Sequence, residues 1–206
     1  LAAFLRERGI SVEIFDGTFL GGIEDFQAAL QTHEPRWVGI SAVQPNRQMA
    51  LKMARSAKAR GIYVILGGPD ATMLPERYLK ESFVDLVVHH EGEITLAELL
   101  ERFPAGRPDP AALKDFAGVA YRGLDNEIIF NPRRPFMLNL DNLPEPARDL
   151  VDMDRYLETW REHHGYASLT ISVSRGCPYG CKWCRDSVHG DALRLRSPES
   201  VAAEVK

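Results

Sequence analysis

The only three cysteines of this 206-residue chain fall within eight positions, in the segment Ser174-Arg-Gly-Cys177-Pro-Tyr-Gly-Cys181-Lys-Trp-Cys184-Arg. Random placement gives this C-x3-C-x2-C spacing on the order of once in ten thousand, so the spacing carries information. Gly176 and Gly180 allow the backbone to wrap tightly enough for the thiolates to converge on one metal centre. Soft sulfur donors select zinc, copper(I) or an iron-sulfur cluster. A structural zinc needs four ligands, the fourth coming from His163, His164, His189 or from outside the chain. A cubane cluster held by three cysteines instead leaves one iron open for a substrate ligand, and the lack of a fourth cysteine nearby favours that chemistry.

With an aromatic residue just before the last cysteine, and with SRGCP leading out of a strand, the motif resembles the radical S-adenosylmethionine (SAM) superfamily. The resemblance implies that Cys177, Cys181 and Cys184 ligate three irons of a [4Fe-4S] cluster and that Trp183 packs near the cluster and the bound SAM. It also implies reductive cleavage of SAM at the open iron, with an electron donor such as flavodoxin or ferredoxin.

The elements that must position this loop follow from periodicity. Up to residue 103, short apolar runs at residues 11–15 (SVEIF), 37–42 (WVGISA), 63–66 (YVIL) and 84–88 (VDLVV) alternate with helical spacing at residues 23–31, 47–60 and 75–81. Apolar strands separated by helices predict a doubly wound α/β domain with a parallel sheet covered on both faces. Residues 104–153 are richer in proline and read as a linker, in which GVAYR and EIIF flank a turn at residues 123–126 as a small hairpin. A helix at residues 154–163 then leads to an alternating strand at residues 168–174. The resemblance implies that residues 154–206 form a third unit, the start of a radical SAM (β/α) barrel.

Ligands of doubly wound sheets bind beyond the carboxyl ends of the strands. There the chain carries Ser41 after one strand, Gly67-Gly68-Pro69-Asp70-Ala71-Thr72 after the next, and His89-His90-Glu91-Gly92-Glu93 after the last. These residues resemble the cobalamin-binding domain found ahead of many radical SAM barrels. On that resemblance Ser41, Gly67, Gly68, Ala71, Thr72, Glu91, Gly92 and Glu93 line the pocket for the corrin and its nucleotide tail. Asp70 stands where many relatives have histidine. Read without the resemblance, the glycine pair is a strand-to-helix turn and the EGE segment an acidic helix start. His89, His90, His163 and His164 read as packed or solvated residues rather than ligands, and Arg175, Lys182, Arg185, Arg194 and Arg196 form a basic neighbourhood around the cysteines.

Composition sets the outer limits. With 45% apolar and 26% charged residues the chain can bury a core, and a net charge of −4 gives no electrostatic reason to expect nucleic acid as a partner. No apolar run reaches the ~18 residues of a membrane span, and no secretory signal is visible, so a cytoplasmic protein is expected. The opening LAAFLRERG reads as the end of an amphipathic helix closed by Gly9, and the closing SPESVAAEVK as a helix just begun. The chain is therefore expected to be a fragment, with a first sheet strand missing, a sheet edge prone to aggregate and no activity of its own. Together the resemblances imply a cobalamin-dependent radical SAM enzyme acting on a small molecule, most often by methyl transfer to an unactivated carbon. The other readings are an oxidative cyclase or rearrangement enzyme, a methylthiolating enzyme, for which three upstream cysteines are lacking, and a non-catalytic cobalamin- or zinc-binding regulator.

Overall fold

The computed structural model describes residues 1–181 and 188–205. A five-stranded sheet forms its centre, in the order β1 (Trp37–Ser41), β2 (Tyr63–Gly67), β3 (Leu86–Val88), β4 (Val119–Arg122) and β5 (Ile128–Phe130). The first three strands are parallel and the last two antiparallel. Helices α1 (Ala2–Arg6), α2 (Ile23–His33), α3 (Arg47–Ala59), α4 (Pro69–Met73), α5 (Pro75–Leu79) and α6 (Glu93–Arg102) fill the crossovers.

The period of two along β2 explains the layers. Val64 and Leu66 enter one core with Phe26 and Leu30 of α2 and with Ala50, Ala54 and Ala57 of α3. The alanines let α3 lie close on the sheet, because a bare methyl leaves no side chain to hold the helix away. Tyr63 and Ile65 enter the opposite core with Leu99 of α6, Leu113 and Phe116. A third cluster packs Phe4 and Leu5 of α1 on Ala97 of α6, with Ile10 and Val12 partly buried beside them. Both faces of the parallel part are thus covered, as a nearly continuous apolar strand requires.

Three expectations change. Residues 11–15 form no ladder strand, although Val12 and Phe15 still pack inward. Alternation fixes which side chains face the core, but a strand also needs a hydrogen-bonding neighbour, and among the described residues no strand pairs with this segment. The hairpin of residues 118–130 forms, with Asn126 in the left-handed region at φ 62°. It is not confined to a connector: Val88 pairs with Val119 and Leu86 with Tyr121, so the hairpin continues the sheet beyond β3. Arg122 secures it by donating to the carbonyls of Leu79, Glu81 (3.1 Å) and Val84 (2.7 Å). The strand expected at residues 168–174 shrinks to β6 (Ser174–Arg175), paired antiparallel with β7 (Arg194–Leu195).

Helix α7 (Met153–His164) forms as expected, capped by the Asp152 carboxylate accepting from the Arg155 N–H at 3.1 Å and closed by Gly165 at φ 79°. It is fastened to the first segment by the Tyr156 hydroxyl, which donates to Asp16 at 2.6 Å. Helix α8 (Pro198–Val205) ends the described chain. No helix among the described residues is long and apolar enough to cross a membrane.

Candidate cofactor site on the carboxyl rim

The three loops singled out by the sequence meet on one rim, because β1, β2 and β3 run parallel and end together. Ser41 lies opposite Gly67, and the Ala42 N–H donates to the Gly67 carbonyl at 2.8 Å, extending the β1–β2 pairing beyond the last strand residue. Gly68 then turns at φ 88°, ψ 179°, a region open essentially only to glycine. A Cβ there would stand 2.9 Å from both the Ala42 carbonyl oxygen and the Ser41 Oγ. Gly68 is therefore required by the close approach of the first two loops. The Asp70 N–H donates back to the Ala42 carbonyl at 3.0 Å. Thr72 ties in the third loop, its Oγ1 accepting from the His90 N–H at 3.2 Å, while His90 takes the left-handed conformation at φ 62°.

Asp70 has a structural partner. Its carboxylate accepts two 2.6 Å bonds from the Arg47 fork and a third from the Tyr78 hydroxyl, and the residue is 8% exposed. The bonds from Arg47 hold the Asp70 carboxyl below the usual range, and burial together with Asp70 pushes the Tyr78 phenol up to about 12. The triad braces α3, α4 and α5 behind the rim.

Beyond the bond from His90 to Thr72, the acidic part of the third loop makes contacts on another side. Glu91 accepts from the Met137 N–H at 2.9 Å and lies 2.8 Å from Arg194 Nη1, with Arg175 Nη1 and His189 Nδ1 each at 3.4 Å. Glu93, 7% exposed, accepts from Arg175 Nη2 at 2.6 Å. Burial works against ionisation of Glu91, yet its bonds from His189, Met137 and Arg194 outweigh that and draw the carboxyl down to about 2. Burial likewise opposes ionisation of Glu93, and the Arg175 guanidinium holds its carboxyl below the ordinary value. Gly92 sits at φ −92°, where other residues are tolerated, so no backbone strain demands a glycine there.

The cysteine loop springs from β6 and returns on β7. Its neck is narrow: the Cys177 N–H donates to the Gly190 carbonyl at 3.1 Å, and a Cβ on Gly176, at φ 83°, would come within 2.1 Å of the Ala192 carbonyl oxygen. Cys177 and Cys181 carry free thiols, the first exposed and the second partly so. Trp183 and Cys184 lie outside the described residues, as do Lys182, Arg185, Asp186 and Ser187. Among the described residues no three His, Cys, Asp or Glu side chains gather as a metal site. Of the histidines weighed as a fourth zinc ligand, His163 and His164 close α7, while His189 faces Glu91. His89 is buried, and burial, together with the neighbouring His90, pushes its imidazole pKa down.

The basic neighbourhood resolves into pairs among its described members. Arg175 and Arg194 meet Glu91 and Glu93, and Arg196 meets the buried carboxylate of Glu204, which Arg148 also approaches at 2.5 Å. Nothing local in the sequence joins Arg175 and Arg194 to Glu91 and Glu93, which lie about eighty to one hundred positions away.

Fold and rim together define an α/β ligand-binding domain of the doubly wound kind, extended by an antiparallel hairpin and carrying a cysteine loop on its carboxyl side. The B12 binding domain family matches residues 1–100 of the chain. An uncharacterised methyltransferase of Pyrococcus horikoshii is 33% identical across all of this chain and 43% of its own length. The cobalamin-dependent radical SAM methyltransferase TokK of Streptomyces tokunonensis is 30% identical over 84% of this chain and 25% of its own. An anaerobic magnesium-protoporphyrin IX monomethyl ester cyclase of Rubrivivax gelatinosus is 26% identical over the whole chain and 37% of its own. The chain thus spans less than half the length of these relatives. Its fold is shared with the cobalamin-dependent SAM radical enzyme OxsB, solved with aqua-cobalamin and SAM bound (TM-score 0.80, 21% identity, 99% of this chain and 27% of that one). It is shared also with the radical SAM methyltransferase TsrM of Kitasatospora setae, solved with cobalamin and a [4Fe-4S] cluster (TM-score 0.71, 17% identity, 99% of this chain and 42% of that one).

Proposed function

We propose that this chain is the cobalamin-carrying and cluster-carrying part of a cytoplasmic, cobalamin-dependent radical SAM enzyme that methylates an unactivated carbon of a small molecule. The units are a cobalamin domain, residues 1–103, to which the hairpin of the linker, residues 104–153, adds two strands, and the start of a radical SAM domain, residues 154–206. The observation that carries the reading is the fastening of the cysteine loop to the third rim loop, through Arg175 and Arg194 on Glu91 and Glu93. It brings a soft-donor loop and a B12-type rim into one assembly.

The residues present suit both groups. On the rim, the close approach at Gly68 leaves the Ser41 side chain exposed at the end of β1. Ser41 and Thr72 would offer hydroxyls to cobalamin and the Gly67–Gly68 backbone would admit it closely, while Ala71 packs in the core behind them. In the loop, Cys177, Cys181 and Cys184 would hold three irons as thiolates, and Trp183 would cover the cluster and SAM. When bound, the cluster supplies the electron for reductive cleavage of SAM, and cobalamin the methyl group. The chain's own part is to orient these groups, hold the loop neck through the Cys177 N–H, and keep charge balanced. An external donor of the flavodoxin or ferredoxin kind would reduce the cluster.

Oxidative cyclisation uses the same parts, and the similarity to the Rubrivivax gelatinosus cyclase supports it as the second reading. The test is SAM cleavage by the reconstituted full-length protein under a strong reductant. Wild type is expected to release 5'-deoxyadenosine and Cys181→Ala to release none; full cleavage by that variant would refute the assignment.

A further inference from the structure

Arg175 and Arg194 are direct partners across the β6–β7 ladder. Directly opposed residues of an antiparallel pair share a face, and like charges there repel. The ladder is only two residues long on each strand, too short to hold itself together in water. Something outside it must supply both the anions and the rigidity.

Glu91 and Glu93 do so. Glu93 takes one side of the Arg175 fork at 2.6 Å, and Glu91 stands 2.8 Å from Arg194 and 3.4 Å from Arg175, so two carboxylates interleave with two guanidiniums. Glu91 also accepts from the Met137 N–H, and Arg194 donates to the Met137 carbonyl at 2.8 Å and to the His189 carbonyl at 2.5 Å. Phe136 completes the joint. The Arg194 guanidinium lies 4.9 Å from its ring centroid, and a Cβ on Gly190 would come within 2.3 Å of that ring. Three segments distant in sequence, the rim turn, the connector and the neck of the cysteine loop, are thus locked at one point. The joint thus engages both oxygens of Glu91 and the Oε1 of Glu93.

We infer that Glu91 and Glu93 are positioning residues, which set the orientation of the cysteine loop on the rim and so the separation of the groups each carries. The statement about separation rests on the proposed function; the statement about the loop does not.

The experiment uses the full-length protein and the double variant Glu91→Gln/Glu93→Gln, which keeps side-chain size and removes both charges. In the metal-free protein, amide hydrogen exchange is read at Cys177 and Arg196, whose N–H groups donate to Gly190 and Val173, and at Val64 and Ile65 in the sheet. The first two are expected to exchange about tenfold faster or more in the variant, and the sheet amides to keep their protection. In the reconstituted protein, the magnetic interaction between the reduced cluster and cob(II)alamin is expected to change, a signature that a purely stabilising contact would not move. Unchanged exchange at Cys177 and Arg196 overturns the inference, as does unchanged interaction in a fully loaded variant. If the double variant loses sheet protection, Glu93→Gln alone, which retains the Met137 bond, decides by the same readings. A wild type that loads neither iron nor cobalamin would refute the proposed function, and exchange would still decide on the joint.

Discussion

Replacing Gly68 with alanine probes the rim where the first two loops touch. Two terms add in the folded state. At φ 88° and ψ 179° an L-residue is strained by ~1–3 kcal/mol. The new methyl also stands 2.9 Å from the Ala42 carbonyl oxygen and 3.1 Å from its nitrogen, backbone atoms that move only by opening the β1–β2 pairing at Ala42 and Gly67. Such overpacking costs a further ~1–3 kcal/mol. The lower chain entropy of alanine in the unfolded state offsets less than ~1 kcal/mol of these costs, and so does not rescue the fold. A net destabilisation of about 3 kcal/mol is expected, measured as a shift in the urea midpoint of the α/β domain with unchanged slope. Gly39→Ala is the control, since nothing lies within 4 Å of a Cβ there, and it is expected to fall within about 0.5 kcal/mol of wild type. Equal midpoints for Gly68→Ala and Gly39→Ala would refute the reasoning that this glycine is set by the approach of the two loops.

Other consequences follow from the buried charges. Asp70→Asn breaks the fork from Arg47 and is expected to cost about 3 kcal/mol by denaturant titration, whereas Arg47→Met combined with it should cost less than the two single changes added together. Arg122→Met strips the donor from the carbonyls at the end of α5 and before β3, and should lower stability by about 2 kcal/mol in the same assay. The folded Glu91 carboxyl, at about 2 against an ordinary 4.5, is depressed, so its contribution is complete above about pH 5 and fades as the pH falls toward 2. That contribution is about 3 kcal/mol at most, and the stability gap between wild type and Glu91→Gln should shrink by roughly half between pH 6 and pH 3.

Much of the arrangement is legible in the residues. The unbroken apolar run of β2 announces a strand buried on both faces, and the alanines of α3 announce a helix lying close against it. The glycine pair at the end of β2 marks the tightest turn of the rim, and the cysteine spacing marks the loop. What local pattern omits is partnership. Residues 11–15 alternate as a strand would, but a ladder needs hydrogen-bonding neighbours that no property of the five residues supplies. The hairpin is written in its turn, while its addition to β3 depends on an open sheet edge created by residues thirty positions earlier. The EGE turn looks like a helix start or a ligand contact because its partners, Arg175 and Arg194, come from a distant segment that only the folded chain brings near.

The most direct test of the account is the metal and cofactor content of the full-length protein, purified and reconstituted without oxygen. About four irons and one cobalamin per chain are expected, with iron lost and cobalamin kept in Cys181→Ala. Zinc without iron at the cysteine loop would contradict it.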